Sequence, residues 1–67
     1  MFDGRLETFV KVAECGSFTK AADALFVTPT AVMKQINALE KELSVMLFTR
    51  TNHGLRITKA GESFLQD

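Results

Sequence analysis

Thr28-Pro29-Thr30-Ala31-Val32-Met33-Lys34-Gln35-Ile36-Asn37-Ala38-Leu39-Glu40-Lys41-Glu42-Leu43 is the stretch on which the reading of this chain turns. Thr28 can cap a helix with its hydroxyl, and Pro29 suits the first helical position, where its missing N–H is not needed. Val32, Ile36, Leu39 and Leu43 recur at intervals of four, three and four, so they form one stripe on a helix running from Pro29 to Leu43. Thr30, Lys34, Asn37 and Lys41 then point the opposite way. Pro29 and Met33 flank the apolar stripe on one side, Ala31 and Gln35 on the other.

Upstream, Phe2, Leu6, Phe9, Val10 and Ala13 have helical spacing. Asp3 can cap that helix and Gly16 can stop it, which predicts a first helix over residues 4–15. Ser17 can cap a second, over 18–25, with the stripe Phe18, Ala21, Ala22 and Leu25. Its two alanines let another helix come close. Downstream of Ser44 the period changes. Val45 to Arg50 can extend as a strand, Thr51-Asn52-His53-Gly54 reads as a turn, and Leu55-Arg56-Ile57 alternates as a half-buried strand does. Thr58 can cap a last helix in which Ala60 and Phe64 share a face, with Leu65 beside them. A helix that short is marginal alone, so the natural protein is expected to continue past Asp67.

The composition sets the bounds. With 67 residues, 46% hydrophobic and 24% charged, the chain is one small domain or a piece of a larger protein, neither disordered nor membrane-spanning. No apolar run approaches the ~18 residues of a transmembrane helix. The first residues lack the layout of a signal peptide. Cys15 is the single cysteine, so no internal disulfide can form, and no Cys/His cluster offers a metal site. Cys15 reads as a small semi-buried residue, and a reducing cytoplasm fits the whole. A domain of this size buries only about 60% of its unfolded surface, which leaves little room for a substrate pocket. No acid/base pair, phosphate loop or metal spacing is visible. The expectation is therefore no enzyme and no cofactor.

The formal net charge is zero, but the charges are unevenly placed. Residues 1–15 hold Asp3, Glu7 and Glu14 against Arg5 and Lys11. Residues 28–39 hold Lys34 alone. Residues 43–59 hold Arg50, Arg56 and Lys59 with no acid. If the fold brings the last two stretches together, a basic face exists despite overall neutrality.

Helix, helix, tight turn, helix, basic hairpin, helix is an order that fits a helix-turn-helix with a wing. In that motif the second helix, about 10–12 Å across, enters a major groove about 12 Å wide while flanking elements hold phosphates. Short outer residues let the backbone approach the base edges, and Thr30, Ala31 and Met33 are compatible with this. An ordinary three-helix bundle shows the same pattern. A winged-helix module for protein–protein contact is the alternative function, with the neutral charge in its favour.

Four segments carry a family resemblance: Gly16-Ser17-Phe18-Thr19-Lys20-Ala21-Ala22; Gln35-Ile36 with Leu39-Glu40 and Leu43; Leu47-Phe48 with Arg50-Thr51; and Gly54-Leu55-Arg56-Ile57-Thr58 with Ala60-Gly61-Glu62. In this order and in one register over nearly the whole chain, they resemble the N-terminal DNA-binding domain of LysR-type transcriptional regulators. The resemblance implies a mainly α winged helix-turn-helix: a three-helix core, a β-hairpin wing and the start of a linker helix. It implies a DNA-binding domain over 1–58, with the helix-turn-helix at about 18–37 and the wing at about 46–57, and the start of a linker and dimerisation helix at 59–67. A C-terminal effector-binding domain follows in the family, so a small-molecule effector is expected only through that missing part. Where the family usually reads Ser-Gln-Pro-Ala-Leu-Ser-Arg-Gln-Ile, this chain has Thr28 to Ile36. Pro29 replaces a glutamine, Thr30 a proline and Met33 a serine.

The expected partner is double-stranded DNA carrying an inverted repeat. The expected contacts are Thr28, Pro29, Thr30, Met33, Lys34 and Asn37 from the third helix and Arg50, His53 and Arg56 from the hairpin. Thr30 offers a hydroxyl and a methyl to base edges. Lys34 offers charge. Gln35 is structural or marginal. Arg56 is the better phosphate candidate of the hairpin, while Arg50 could instead bridge to Glu40 or Glu42. His53, at the expected turn tip, is a weaker anchor because its ordinary pKa of about 6.5 leaves it mostly neutral at pH 7. One recognition helix reads few base pairs, so a homodimer is expected through Ala60, Gly61, Phe64 and Leu65, with higher oligomers in the full-length protein. Phe64 has a second possible destination, folding back on the first helix.

Overall fold

In the computed structural model, residues 4–52 and 54–66 are described, so Phe2, Asp3, His53 and Asp67 lie outside the described residues. Six elements follow in order: α1 (Gly4–Cys15), α2 (Phe18–Leu25), α3 (Pro29–Leu43), β1 (Phe48–Thr51), β2 (Gly54–Ile57) and α4 (Lys59–Gln66). This is a winged helix-turn-helix. The helix limits coincide with the sequence expectations, and the described caps act as expected. Ser17 Oγ accepts from the Lys20 N–H at 3.2 Å and Thr28 Oγ1 from the Ala31 N–H at 3.1 Å. Asp3, expected to cap α1, lies outside the described residues. Gly16 ends α1 in the left-handed region at φ 67°.

Helices α2 and α3 end alike. The N–H of Phe26 reaches the Asp23 carbonyl and that of Val27 the Ala22 carbonyl, and Ser44 and Val45 repeat the pattern on Lys41 and Glu40. Such an ending needs a left-handed residue and usually recruits glycine. Here Phe26 at φ 60° and Ser44 at φ 58° take the position instead.

The core consists of Phe9, Val12, Ala21, Ala22, Val32, Ile36, Leu39, Leu47 and Phe48. Each large aliphatic side chain among them contributes about 1.5–3 kcal/mol by leaving water. The stripe of α3 is buried through Val32, Ile36 and Leu39, while Leu43 emerges at the helix end. The phase of α1 differs from the expectation. Thr8, Phe9 and Val12 face inward, whereas Leu6 and Val10 stay 45% and 37% exposed. Apolar residues cover more than half the circumference of α1, so periodicity alone admits two phases. In the phase adopted, the buried Thr8 hydroxyl donates to Gln35 Oε1 on α3.

β1 and β2 pair antiparallel, with Phe48 opposite Ile57, Thr49 opposite Arg56, Arg50 opposite Leu55 and Thr51 opposite Gly54. Directly opposed residues share a face and alternate along each strand. Phe48, Arg50, Leu55 and Ile57 therefore lie on the core-facing side, and Thr49 and Arg56 on the other. The strands start later than the extended run from Val45 suggested, because the last turn of α3 and a loop consume Ser44 to Leu47.

Thr58 joins the wing to α4. Its N–H donates to the Leu47 carbonyl at 2.9 Å, its hydroxyl donates to the Met46 carbonyl at 2.5 Å, and the same oxygen accepts from the Gly61 N–H at 3.0 Å. Gly61 is buried where a Cβ would lie 2.5 Å from the Leu47 carbonyl oxygen and 2.7 Å from Ile57 Cγ1. The backbone that Gly61 admits here is that of its own domain. Phe64 packs edge-on against Phe9, ring centroids 5.3 Å apart, and so takes the second of its two destinations.

Candidate nucleic-acid interface

The burial of Val32, Ile36 and Leu39 turns the opposite face of α3 outward. Thr28, Pro29, Thr30, Lys34 and Asn37 are exposed, and Met33 is half-buried beside them. No acidic residue occurs between Thr28 and Leu39. Gln35, half-buried and accepting from Thr8, belongs to the α1–α3 contact and not to the outward face.

The hairpin lies alongside. A hollow of about 480 Å³ separates it from α3 and is lined by Asn37 and Glu40 of α3, Met46, Phe48 and Arg50, and by Phe18 of α2. Arg50 makes no bridge to either acid suggested for it. Glu40 Oε2 accepts from the backbone N–H groups of Leu47 at 2.7 Å and Phe48 at 3.2 Å, tying the loop to α3. Glu42 pairs with Arg5 at 2.9 Å. The Arg50 guanidinium lies over the Phe18 ring instead, 5.2 Å from its centroid. Glu40, the acid that lines the hollow, is thereby engaged with backbone N–H groups, and among the described residues no carboxylate pairs with Arg50.

The structure thus brings Asn37 and Arg50 to one hollow next to the outward face of α3. It does not bring Arg56 there: opposite Thr49, Arg56 is exposed on the far face of the hairpin. His53, the expected tip contact, lies outside the described residues. Of the four residues expected at a dimer seam, Gly61 and Phe64 are engaged within the domain, Ala60 is half-buried, and Leu65 is 43% exposed. Sequence periodicity placed Phe18 only in the core stripe of α2. Its contact with Arg50 is long-range, and the one local signal for it is that Phe48 and Arg50, two apart on a strand, share a face.

A sequence model described as bacterial regulatory helix-turn-helix protein, lysR family, matches residues 4–62. The chain is 43% identical over its full 67 residues to the HTH-type transcriptional regulator YofA of Bacillus velezensis, of which it covers 23%. It is 43% identical over 63 residues, 94% of the chain, to the HTH-type transcriptional regulator ClcR of Pseudomonas putida, covering 21% of that protein. It therefore spans under a quarter of the length of these curated relatives. Among solved structures, the CbnR DNA-binding domain in its DNA complex superposes with a TM-score of 0.93 at 39% identity, over 100% of this chain and 77% of that one. The BenM DNA-binding domain in complex with catB site 1 DNA gives 0.92 at 39% identity, over 98% and 74%. The chain belongs to the lysR family of bacterial regulatory helix-turn-helix proteins.

Proposed function

We propose that this chain is the DNA-binding domain of a bacterial transcription regulator and recognises a specific sequence in double-stranded DNA. One observation carries the reading: α3 buries Val32, Ile36 and Leu39 and turns outward, beside the wing, a face on which Thr30, Lys34 and Asn37 are exposed and no acid occurs between Thr28 and Leu39. The CbnR and BenM domains that it resembles were solved with DNA, which supports the same reading.

In this account Thr28, Pro29, Thr30, Met33, Lys34 and Asn37 meet the major groove, with Thr30 and Met33 at base edges. Arg50, His53 and Arg56 meet phosphates from the wing. The unit covers residues 1–58, and α4 begins a linker through which two copies pair on an inverted repeat. Leu65 of α4 and Leu6 and Val10 of α1 remain partly exposed and supply apolar surface for a second copy. A small-molecule effector acts through a further domain, and the regulator works in the cytoplasm. Its relatives are transcription regulators, and no catalytic role is assigned.

Binding to duplex DNA as a function of salt tests the proposal. About four basic groups facing phosphates give a log–log slope of roughly −3 to −4 per domain. A response that is flat from low to moderate salt would overturn it.

A further inference from the structure

We propose that Phe18 is a positioning residue for Arg50: its ring holds the guanidinium at the edge of the hollow between α3 and the wing, ready to meet a DNA phosphate. The inference rests on the duplex-binding reading above and adds a residue that touches no DNA itself.

Arg50 needs such help. It sits at an exposed position of a four-residue strand in a two-stranded hairpin, and a long flexible side chain there loses rotamer freedom when it engages a phosphate. Among the described residues no carboxylate pairs with it, since Glu40 holds the Leu47 and Phe48 N–H groups and Glu42 holds Arg5. What Arg50 has is a ring beneath it. The 5.2 Å from Cζ to the Phe18 centroid is inside the ~6 Å over which a ring face attracts a cation.

The support is itself rigid. Phe18 is half-buried and meets Phe48 nearly edge-on, centroids 6.4 Å apart and planes at 80°, and Phe48 in turn packs on Phe9 at 5.4 Å. Phe48 and Arg50 share a strand face, so the contact that anchors Phe18 also sets where Arg50 lies relative to it. A ring face differs from a carboxylate in what it leaves behind. It restrains the guanidinium without cancelling its charge, so the charge and N–H donors of Arg50 stay available to a phosphate. A salt bridge at the same place would have to be broken first.

A double-mutant cycle in the 67-residue chain tests this on a random-sequence duplex, because phosphate contact is independent of sequence. Folding of each variant is verified by its helical circular dichroism at the assay temperature. Phe18→Leu keeps an apolar side chain and removes the ring. It is expected to weaken binding about two- to fivefold in the parent, the range of an exposed cation–ring contact, and to cost nothing further once Arg50→Ala is present. Phe18→Tyr keeps the ring and is expected to bind as the parent does. Arg50→Ala alone should lower the salt slope by about one. Equal losses from Phe18→Leu in both backgrounds, or a loss with Phe18→Tyr as large as with Phe18→Leu, would make Phe18 a packing residue and overturn the positioning role. An Arg50→Ala variant with unchanged affinity and slope would overturn it too, while duplex binding by the parent stands. If the parent itself shows no salt-dependent binding, the duplex reading fails and the positioning role with it.

Discussion

Replacing Gly61 with alanine tests how α4 is joined to the domain. The new Cβ would stand 2.5 Å from the Leu47 carbonyl oxygen, roughly an ångström short of ordinary contact, and 2.7 Å from Ile57 Cγ1. The carbonyl is backbone and cannot rotate away, and it accepts the Thr58 N–H that fixes the start of α4. To make room, α4 must slide outward, stretching the Thr58 bonds and lifting Phe64 from Phe9. Overpacking of this kind costs about 2–3 kcal/mol at the upper part of its usual range. Alanine returns about 1 kcal/mol through helix propensity. The net loss is about 1–2 kcal/mol, which in a domain this small lowers the melting temperature by about 5–15 °C. Urea unfolding followed by circular dichroism reads it directly. Gly4→Ala is the control: among the described residues nothing lies within 4 Å of the Cβ it would gain, and stability should change by less than about 0.5 kcal/mol. A Gly61→Ala chain as stable as the parent would refute the reasoning.

Three further outcomes follow from the packing. Ser44→Gly relieves a left-handed serine at φ 58° and should raise stability by about 0.5–1 kcal/mol in the same unfolding assay. Glu40→Ala strips the acceptor from the Leu47 and Phe48 N–H groups and should cost about 1–3 kcal/mol, more than Glu42→Ala, which loses only a partly exposed ion pair. Ile36→Ala and Leu39→Ala should each cost about 2–5 kcal/mol in thermal melts while Lys34→Ala is nearly neutral; the reverse ranking would mean that α3 is turned the wrong way.

Local chemistry made much of this fold legible. Ser17, Thr28 and Thr58 are caps that act within three residues, so helix starts could be read without knowing the fold. The single apolar stripe of α3 left one orientation open. The stripe of α1 left two, and the one adopted buries Phe9 and Val12 and brings Thr8 to Gln35, 27 positions away. Gly61 illustrates the same limit: a glycine announces a close approach but not by which backbone. The arginines of the hairpin look equivalent in sequence, yet the register sends Arg50 to the face that meets Phe18 and Arg56 to the opposite one. Phe26, at the turn between α2 and α3, leaves its side chain 94% exposed.

The division of labour between α3 and the wing is the central claim, and one set of titrations tests it most directly. A duplex selected from genomic fragments and a scrambled counterpart are titrated with the parent, Thr30→Val and Arg56→Ala. Thr30→Val, losing a base-edge contact, should shrink the difference between the two duplexes by about 1–3 kcal/mol. Arg56→Ala should weaken both alike and lower the salt slope by about one. Relaxed specificity with Arg56→Ala and none with Thr30→Val would contradict the account.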